Sequence, residues 1–342
     1  MSTISFKPKK ITKKITAHLQ DRASDIIMNR FGLNADGKKK TLEEIGKKYN
    51  ITRERVRQVE DAALTSIKKS TAYKVEQAVF EELKQLIKKL GFIVAEHELL
   101  PHIAKDKATQ NHIHFFLTLG EAFKKHQEDE HFHTRFSVDD EMAEKVHNTL
   151  RKLYASLSDD DLIPETEIIK KFFDHMKDVA EEYRNEEMAL RWLSMSKTVG
   201  KNPLGEWGKA SSPNIRTRGV KDYAFLVMRR HGSPMHFKEV ADSISKVFHK
   251  KIHYATCHNE LIKDSRFVLV GRGMYALAEW GYKEGIAREV IRDILKKEGS
   301  LSKEDVVTRV MKERYFKKNT ILVNLANPKY FKKNKNGLYT LA

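Results

Sequence analysis

The sequence predicts a mainly α-helical protein, an array of helix-turn-helix and winged-helix modules with short β-hairpin wings. Residues 30–69 contain two short helices, a tight connection and a longer basic helix. Further along, an order of helices followed by a Gly-containing hairpin recurs, and its last two copies align with each other. The length of 342 residues fits several small domains, two to four in number.

Composition indicates a protein of a reducing compartment. No apolar run approaches the roughly 20 residues that span a bilayer, and the N-terminus lacks the apolar stretch of a signal peptide. Cys257 is the only cysteine, which rules out an intrachain disulfide and a cysteine-based zinc site. We therefore expect a cytoplasmic, nucleoid-associated protein that has no membrane partner.

The charge is unevenly distributed. The net charge is +17, and residues 1–70 hold 17 lysines and arginines against 8 acidic residues. Residues 136–190 have the opposite balance, with 7 basic against 15 acidic residues. The basic end predicts a polyanionic partner, whereas the acidic middle argues against a purely non-specific DNA coat. Solubility is the alternative explanation for the overall positive charge.

The segment from Thr41 to Lys69 has the helix signals of a DNA-reading module. Thr41 and Glu44 form a capping box that begins one helix, Asn50 ends it, and Thr52 caps the next. The second helix places apolar residues at i, i+3, i+7 and i+11 on its inner face, which leaves a polar outer face. The residues of this outer face are Arg53, Glu54, Arg57, Gln58 and Asp61.

This outer face carries the chemistry that a DNA groove requires. Guanidinium groups suit guanine edges and phosphates, and a carboxylate or amide suits the amino groups of bases. The alternative is a solvated, salt-bridged helix, because Glu54 can pair with Arg57 or Gln58 one turn away. Composition alone leaves both interpretations open.

The order of residues adds a resemblance. The pattern RFGL, TLEEIGKKY and ITRERVRQVE resembles region 4 of the sigma-70 family, the domain that binds the promoter −35 element, over about residues 11–70. The resemblance implies that Arg53, Glu54 and Gln58 meet bases, while Arg55 and Arg57 lie near the DNA backbone. Together with the helix-capping residues, the candidate DNA-binding residues are Thr41, Thr52, Arg53, Glu54, Arg55, Arg57 and Gln58. Nothing in the chain resembles the sigma region that binds core polymerase and melts the −10 element, so we expect an incomplete sigma factor.

Further modules follow this segment. Residues 1–10 read as a basic, disordered tail and 11–71 as the region 4-like module. Residues 72–138 read as a winged-helix-like module, in which a strand and a helix at IVAEHELLPHI are followed by a helix that begins at HIHFF and by two strands. Residues 139–217 read as an acidic helical, winged-helix-like module of three helices and a wing, with a linker at 200–219. Apolar spacing predicts one long helix from Tyr73 to Leu90, with Val75 on its buried face.

The last two modules, 218–283 and 284–342, form an internal repeat. At an offset of 64 residues, Phe267, Gly273 and Tyr275 align with Phe331, Gly337 and Tyr339. The start PMHFKEVA and the end RFVLVGRGMYALAEWG of the first copy resemble the HARE helix-turn-helix domain of homeobox-type, Asx-like and restriction-endonuclease proteins. A related domain occurs in the delta subunit of RNA polymerase.

Other groups of residues give weaker evidence for a metal or catalytic site. The pairs His112 with His114 and His131 with His133 suggest a metal on a strand, yet no further ligand follows at suitable spacing. The run Asp159 to Asp161 is more typical of an acidic turn than of a Mg²⁺ site, and Cys257 is typical of a core residue. No nuclease or phosphate-loop motif is present. We expect no enzyme activity, no cofactor and no small-molecule substrate.

The sequence favours a transcription protein that binds promoter-like double-stranded DNA and acts with core RNA polymerase in initiation or its regulation, without melting DNA. Two other hypotheses stay open. One is a HARE-containing DNA-binding module of a defence or DNA-modification system. The other is an accessory polymerase subunit that resembles delta.

Overall fold

The computed structural model describes residues 4–177, 179–282, 287–313 and 316–342. The chain forms two compact units, one of residues 1–201 and 206–211 and the other of residues 202–205 and 212–342. Helices dominate, and the strands form only small antiparallel sheets of two or three strands, which confirms the mainly α class. Within these ranges, no helix is both long and apolar enough to cross a bilayer.

The first unit begins with a four-helix module. Its helices are α1 (Pro8–Thr16), α2 (Asp21–Phe31), α3 (Leu42–Tyr49) and α4 (Arg53–Lys69). The expectation of a disordered tail over residues 1–10 is wrong from Ile4 onward. Ile4, Ile11 and Ile15 are buried in a core, and Pro8 begins α1, where its missing N–H costs nothing. The lysines between these isoleucines stay exposed.

A winged helix follows, which we call the first winged helix. It consists of α5 (Thr71–Val75), α6 (Gln77–Lys89), β1 (Ile93–Ala95), α7 (Glu96–Ile103), α8 (Lys107–Leu119), β2 (Lys124–His126) and β3 (Arg135–Ser137). Its sheet has the order β1-β3-β2, all antiparallel. The sequence predicted this succession of a strand, two helices and two strands, with the second helix beginning at HIHFF. His112 and His114 accordingly lie in α8, and not on a strand as the metal interpretation required.

The single helix predicted from Tyr73 to Leu90 is wrong. It is interrupted at Glu76, and Val75 is 73% exposed instead of buried. Tyr73 and Val79 are both buried, yet six residues of continuous helix would turn them about 120° apart. The interruption therefore brings both side chains to the same core.

The second winged helix completes the first unit. It contains α9 (Asp140–Ser156), α10 (Glu165–His175), a 3-10 turn (Glu181–Tyr183), α11 (Glu186–Leu193), β4 (Val199–Lys201) and β5 (Trp207–Lys209). An isolated bridge joins Ile163 to Trp207 at the position of a first strand. The predicted order of three helices and a wing is confirmed.

Strand β1 contributes to two cores. Val94 packs into the core that contains the N-terminal helices, whereas its neighbours Ile93 and Ala95 pack into the core of the second winged helix. Successive residues of a strand point to opposite faces, so the sheet is covered on both sides. Trp192 Nε1 reinforces the contact by donating to Gly91 O at 3.0 Å.

The second unit holds the third and fourth winged helices. The third contains α12 (Val220–His231), β6 (Met235–His236), α13 (Phe237–Phe248), α14 (Tyr254–Lys263), β7 (Phe267–Gly271) and β8 (Met274–Leu277). The fourth contains α15 (Ala287–Glu298), α16 (Lys303–Glu313), α17 (Lys318–Leu325), β9 (Phe331–Lys333) and β10 (Tyr339–Leu341). Phe267 and Phe331 begin equivalent strands, as the repeat predicts, and both are buried.

We predict that the third winged helix folds without the fourth. Within the described residues, the core of the fourth winged helix draws only on residues 290–341. The predicted boundary at 283/284 lies outside the described residues. A chain that stops after Gly285 should keep the cooperative thermal transition of the third winged helix in calorimetry. Loss of that transition would mean that the two winged helices share a core.

We also predict that the first unit loses stability below about pH 6.5. His147 is buried, its Nε2 accepts a hydrogen bond from Arg135 Nε at 2.8 Å, and burial lowers its pKa to about 3. Between these two pH values the unfolded chain binds a proton that the folded chain excludes, so stability falls as pH falls. At pH 5.5 this loss is about 1 kcal/mol for one such histidine.

The measurement is urea unfolding at pH 7.5 and pH 5.5. His147→Gln should reduce the pH-dependent loss by about 1 kcal/mol, because glutamine can accept from Arg135 but does not titrate. His131→Gln is the control, since His131 is exposed. An equal pH dependence in the parent and the His147 variant would contradict the prediction.

Candidate nucleic-acid interface

Helix α3 begins at the capping box that the sequence predicts. Glu44 N donates to Thr41 Oγ1 at 3.2 Å, and Thr41 N donates to Glu44 Oε2 at 2.7 Å. Asn50 ends the helix in the left-handed region at φ +51°. Gly46 is required for the tight connection, because a Cβ there would lie 2.6 Å from the Ile51 carbonyl oxygen. This connection sets the angle between α3 and α4.

Helix α4 also begins as predicted. Thr52 Oγ1 accepts a hydrogen bond from Arg55 N at 3.1 Å, and Glu54 lies in the first turn. Val56, Ala63 and Ile67 are buried on the inner face. The cap and the buried face together hold the first two turns of α4 with their outer side toward solvent.

The side chains on the polar outer face of α4 are exposed and form hydrogen bonds with one another. The predicted base-reading and backbone residues Arg53, Glu54, Arg55, Arg57 and Gln58 are all exposed. Arg57 donates to Glu54 Oε1 at 2.7 Å, and Arg55 Nη1 donates to Gln58 Oε1 at 3.0 Å. The hydrogen bond from Arg57 lowers the pKa of Glu54, which keeps this carboxylate ionised.

The side chains that form ion pairs on this face remain accessible to a ligand. Arg57 and Glu54 keep 53% and 56% of their side-chain surface exposed, and the second partner of Arg57, Asp61, keeps 58%. Exposed pairs of this kind contribute little to stability and are screened by salt. Phosphate oxygens or base edges can therefore replace them at small cost. The structure thus contains the salt-bridged arrangement and the exposed surface together.

Arg30 positions this surface, a role that sequence analysis did not assign. Arg30 Nε donates to Glu60 Oε2 at 3.0 Å, and its Nη1 donates to the Lys40 carbonyl oxygen at 2.9 Å. These hydrogen bonds connect α2 to α4 and to the basic segment that precedes Thr41. The only sequence signal was a long cationic residue placed before the helix-ending FGL.

The other candidate sites are core or turn features. His112 is buried, and its Nδ1 lies 2.8 Å from Thr12 Oγ1. Asp161 Oδ2 accepts from Ser158 N at 2.8 Å, as in the predicted acidic turn. Cys257 is buried, which raises its pKa to about 12. In the ranges that the structure describes, no three His, Cys, Asp or Glu side chains come together to hold a metal ion.

Comparison with known families adds to this geometry. Residues 17–69 match sigma-70 region 4. Residues 218–280 match HARE-HTH, a helix-turn-helix domain whose description names ASXL and restriction endonuclease proteins. Both resemblances expected from the sequence are therefore confirmed, and the first covers α2 to α4 with every candidate DNA-binding residue.

Individual sigma factors are similar over the same short stretch. RNA polymerase sigma factor SigA of Nostoc sp. is 46% identical over 56 residues, which is 16% of this chain and 14% of that protein. SigA of Clostridium acetobutylicum is 47% identical over 55 residues, again 16% and 14%. The principal sigma factor HrdD of Streptomyces griseus is 44% identical over 55 residues, 16% of each protein. The matched segment thus spans about a seventh of these relatives.

We predict that Thr52 stabilises the start of α4. Thr52→Ala removes the acceptor for Arg55 N and should lower the free energy of unfolding by about 1 kcal/mol. Thr65→Ala is the matched control, because Thr65 is exposed in the interior of the same helix, where alanine is a better helix former. Urea unfolding of both variants measures the difference. Equal losses would show that the cap does not matter.

Proposed function

We propose that the chain binds promoter-like double-stranded DNA through α4 and acts with core RNA polymerase in transcription initiation or its regulation. The observation that carries the proposal is the exposed, capped start of α4 inside a segment that matches sigma-70 region 4. The first turns of such a helix fit the major groove, where base pairs differ in their donors and acceptors.

The candidate residues divide into two roles. Arg53, Glu54 and Gln58 read base edges at a −35-type element, whereas Arg55 and Arg57 contact the backbone on either side. Thr41 and Thr52 begin the two helices, and the N–H groups of a capped first turn favour phosphate. The relatives that share this segment are named as RNA polymerase sigma factors. That supports the assignment to promoter DNA.

The proposed contact with polymerase rests on two arguments. One is charge, and the other is that nothing in the chain resembles the sigma region that melts the −10 element. The segment that matches sigma factors is the DNA-binding part alone, so an effect on transcription passes through another protein. Residues 136–190 hold 15 acidic against 7 basic residues and form most of the second winged helix. We propose this acidic surface as the contact with polymerase, which makes the contact sensitive to salt.

The competing function is a DNA-binding module of a defence or DNA-modification system. The match of residues 218–280 to a domain named for restriction endonucleases favours it. Affinity purification from native lysate, probed for polymerase subunits and for nuclease activity, separates the two. Recovery of polymerase with the wild-type chain, and its loss when acidic side chains of α9 are replaced by amides, supports the proposal. Recovery of a nuclease without polymerase contradicts it.

The base-reading role of Glu54 gives a specific prediction. On a duplex selected for tight binding, Glu54→Ala should weaken affinity roughly 10- to 100-fold and relax preference at one position. On random duplex the same variant should bind almost as the parent does. Glu43→Ala is the matched control, since Glu43 is an exposed carboxylate paired with Lys47 on α3.

Arg57 is expected to behave differently in the same titrations. Arg57→Ala should weaken selected and random duplexes alike and should flatten the dependence of log K on log salt by about 1. Titrations at several salt concentrations measure both effects. If the Glu54 and Arg57 variants lose the same affinity on both duplexes, the division into base and backbone contacts is wrong.

A further inference from the structure

The two copies of the internal repeat differ in the surface of their wings. Residues 267–273 read FVLVGRG and the aligned residues 331–337 read FKKNKNG. Each hairpin begins with a buried phenylalanine and carries a glycine with positive φ, Gly273 at +72° and Gly337 at +81°. The two hairpins thus share a buried phenylalanine and a turn glycine, while the exposed Leu269 of one copy is replaced by Lys333 in the other.

The lysines of the fourth wing are exposed. Val268 and Leu269 of the third wing align with Lys332 and Lys333. Lys335 follows in the turn, and all three lysines are exposed. Lys332 pairs across the hairpin with Thr340, and Lys333 Nζ lies 5.9 Å from the centroid of the Tyr339 ring. The three ammonium groups therefore flank one hairpin over roughly 10 Å of chain.

No aspartate or glutamate lies close to these lysines in the sequence. From Lys317 to Ala342 the sequence contains six lysines and no aspartate or glutamate. Two ion pairs of the fourth winged helix, Arg292 with Asp293 and Arg309 with Glu298, do not involve these lysines. Clustered like charges destabilise a fold unless a counter-charge neutralises them. Such a cluster predicts a polyanionic ligand.

The hairpin is rigid enough to present these lysines. Asn334 N donates to the Leu338 carbonyl oxygen at 2.8 Å. Asn334 Oδ1 accepts from Asn336 N at 3.0 Å and from Leu338 N at 2.9 Å. An asparagine that bonds its own turn in this way fixes the loop. The tip of the turn consists of Asn334, Lys335, Asn336 and Gly337. It therefore has no apolar side chain that could insert into a membrane.

We propose that the wing of the fourth winged helix is a second nucleic-acid contact, in which Lys332, Lys333 and Lys335 bind backbone phosphates of duplex DNA without reading sequence. The inference rests on the proposed function only in the choice of DNA as the polyanion. A second contact in the same chain as a sequence-reading helix raises the local concentration of DNA for both. The third wing has Val268 and Leu269 in place of Lys332 and Lys333, so it would not share this role.

The test uses the full chain and a random-sequence duplex, titrated between about 50 and 200 mM salt. The variant K332Q/K333Q/K335Q should reduce the slope of log K against log salt by about 2 to 3, since each released phosphate contact contributes about 0.9. The control K296Q/K297Q/K303Q removes the same charge from exposed lysines elsewhere in the fourth winged helix and should change the slope by less than about 1. Thermal melting of both variants checks that the fold is kept.

Three outcomes would overturn the inference. They are an unchanged slope in the wing variant, an equal change in the control variant, and tighter wing-dependent binding to phosphatidylserine-containing vesicles than to duplex DNA. The result is independent of the base-reading test. Loss of the Glu54 effect with a retained wing effect would reject the proposed promoter recognition alone, and the reverse pattern would reject the wing contact alone.

Discussion

The packing of the N-terminal module on helix α8 is the contact on which the first unit depends. Phe31 and Phe115 meet edge to face with ring centroids 4.9 Å apart. The buried Asn111 donates its side-chain amide to the carbonyl oxygens of Gly32 and Gly37, at 3.0 and 2.8 Å. A Cβ on Gly32 would lie 2.7 Å from that amide nitrogen, so only glycine allows this approach. The inner sides of α1, α2 and α4 are used in this core, which leaves the outer face of α4 for a ligand.

A shared sheet extends this unit to the second winged helix. Because Val94 faces one core and its neighbours Ile93 and Ala95 face the other, the first and second winged helices cannot separate without exposing apolar surface on β1. The region 4-like helices therefore pack against an assembly of two winged helices. In the second unit the fourth winged helix has a core of its own within the described residues. Within the described residues, the chain thus combines a fused N-terminal assembly with a last winged helix that has a separate core.

Charge follows this organisation. The base-reading candidates lie on the basic N-terminal module, and the acidic surface belongs to the second winged helix. In residues 317–342 the only charged side chains are lysines. The proposed DNA contacts thus lie at both ends of the sequence, with the proposed polymerase contact between them. On α4 itself, charges that pair with each other in the free protein remain more than half exposed, which lets a ligand replace those pairs.

The sequence by itself determined the local features. Caps at Thr41 and Thr52, the helix end at Asn50 and the repeat of wing glycines are set by interactions between residues close in the chain, so pattern reading found them. Tertiary structure decided the rest. The break at Glu76 and the burial of Ile4 depend on partners far along the sequence, which periodicity does not reveal. The pairing of Arg30 with Glu60 and the two-sided burial of β1 likewise exist only once distant segments pack together.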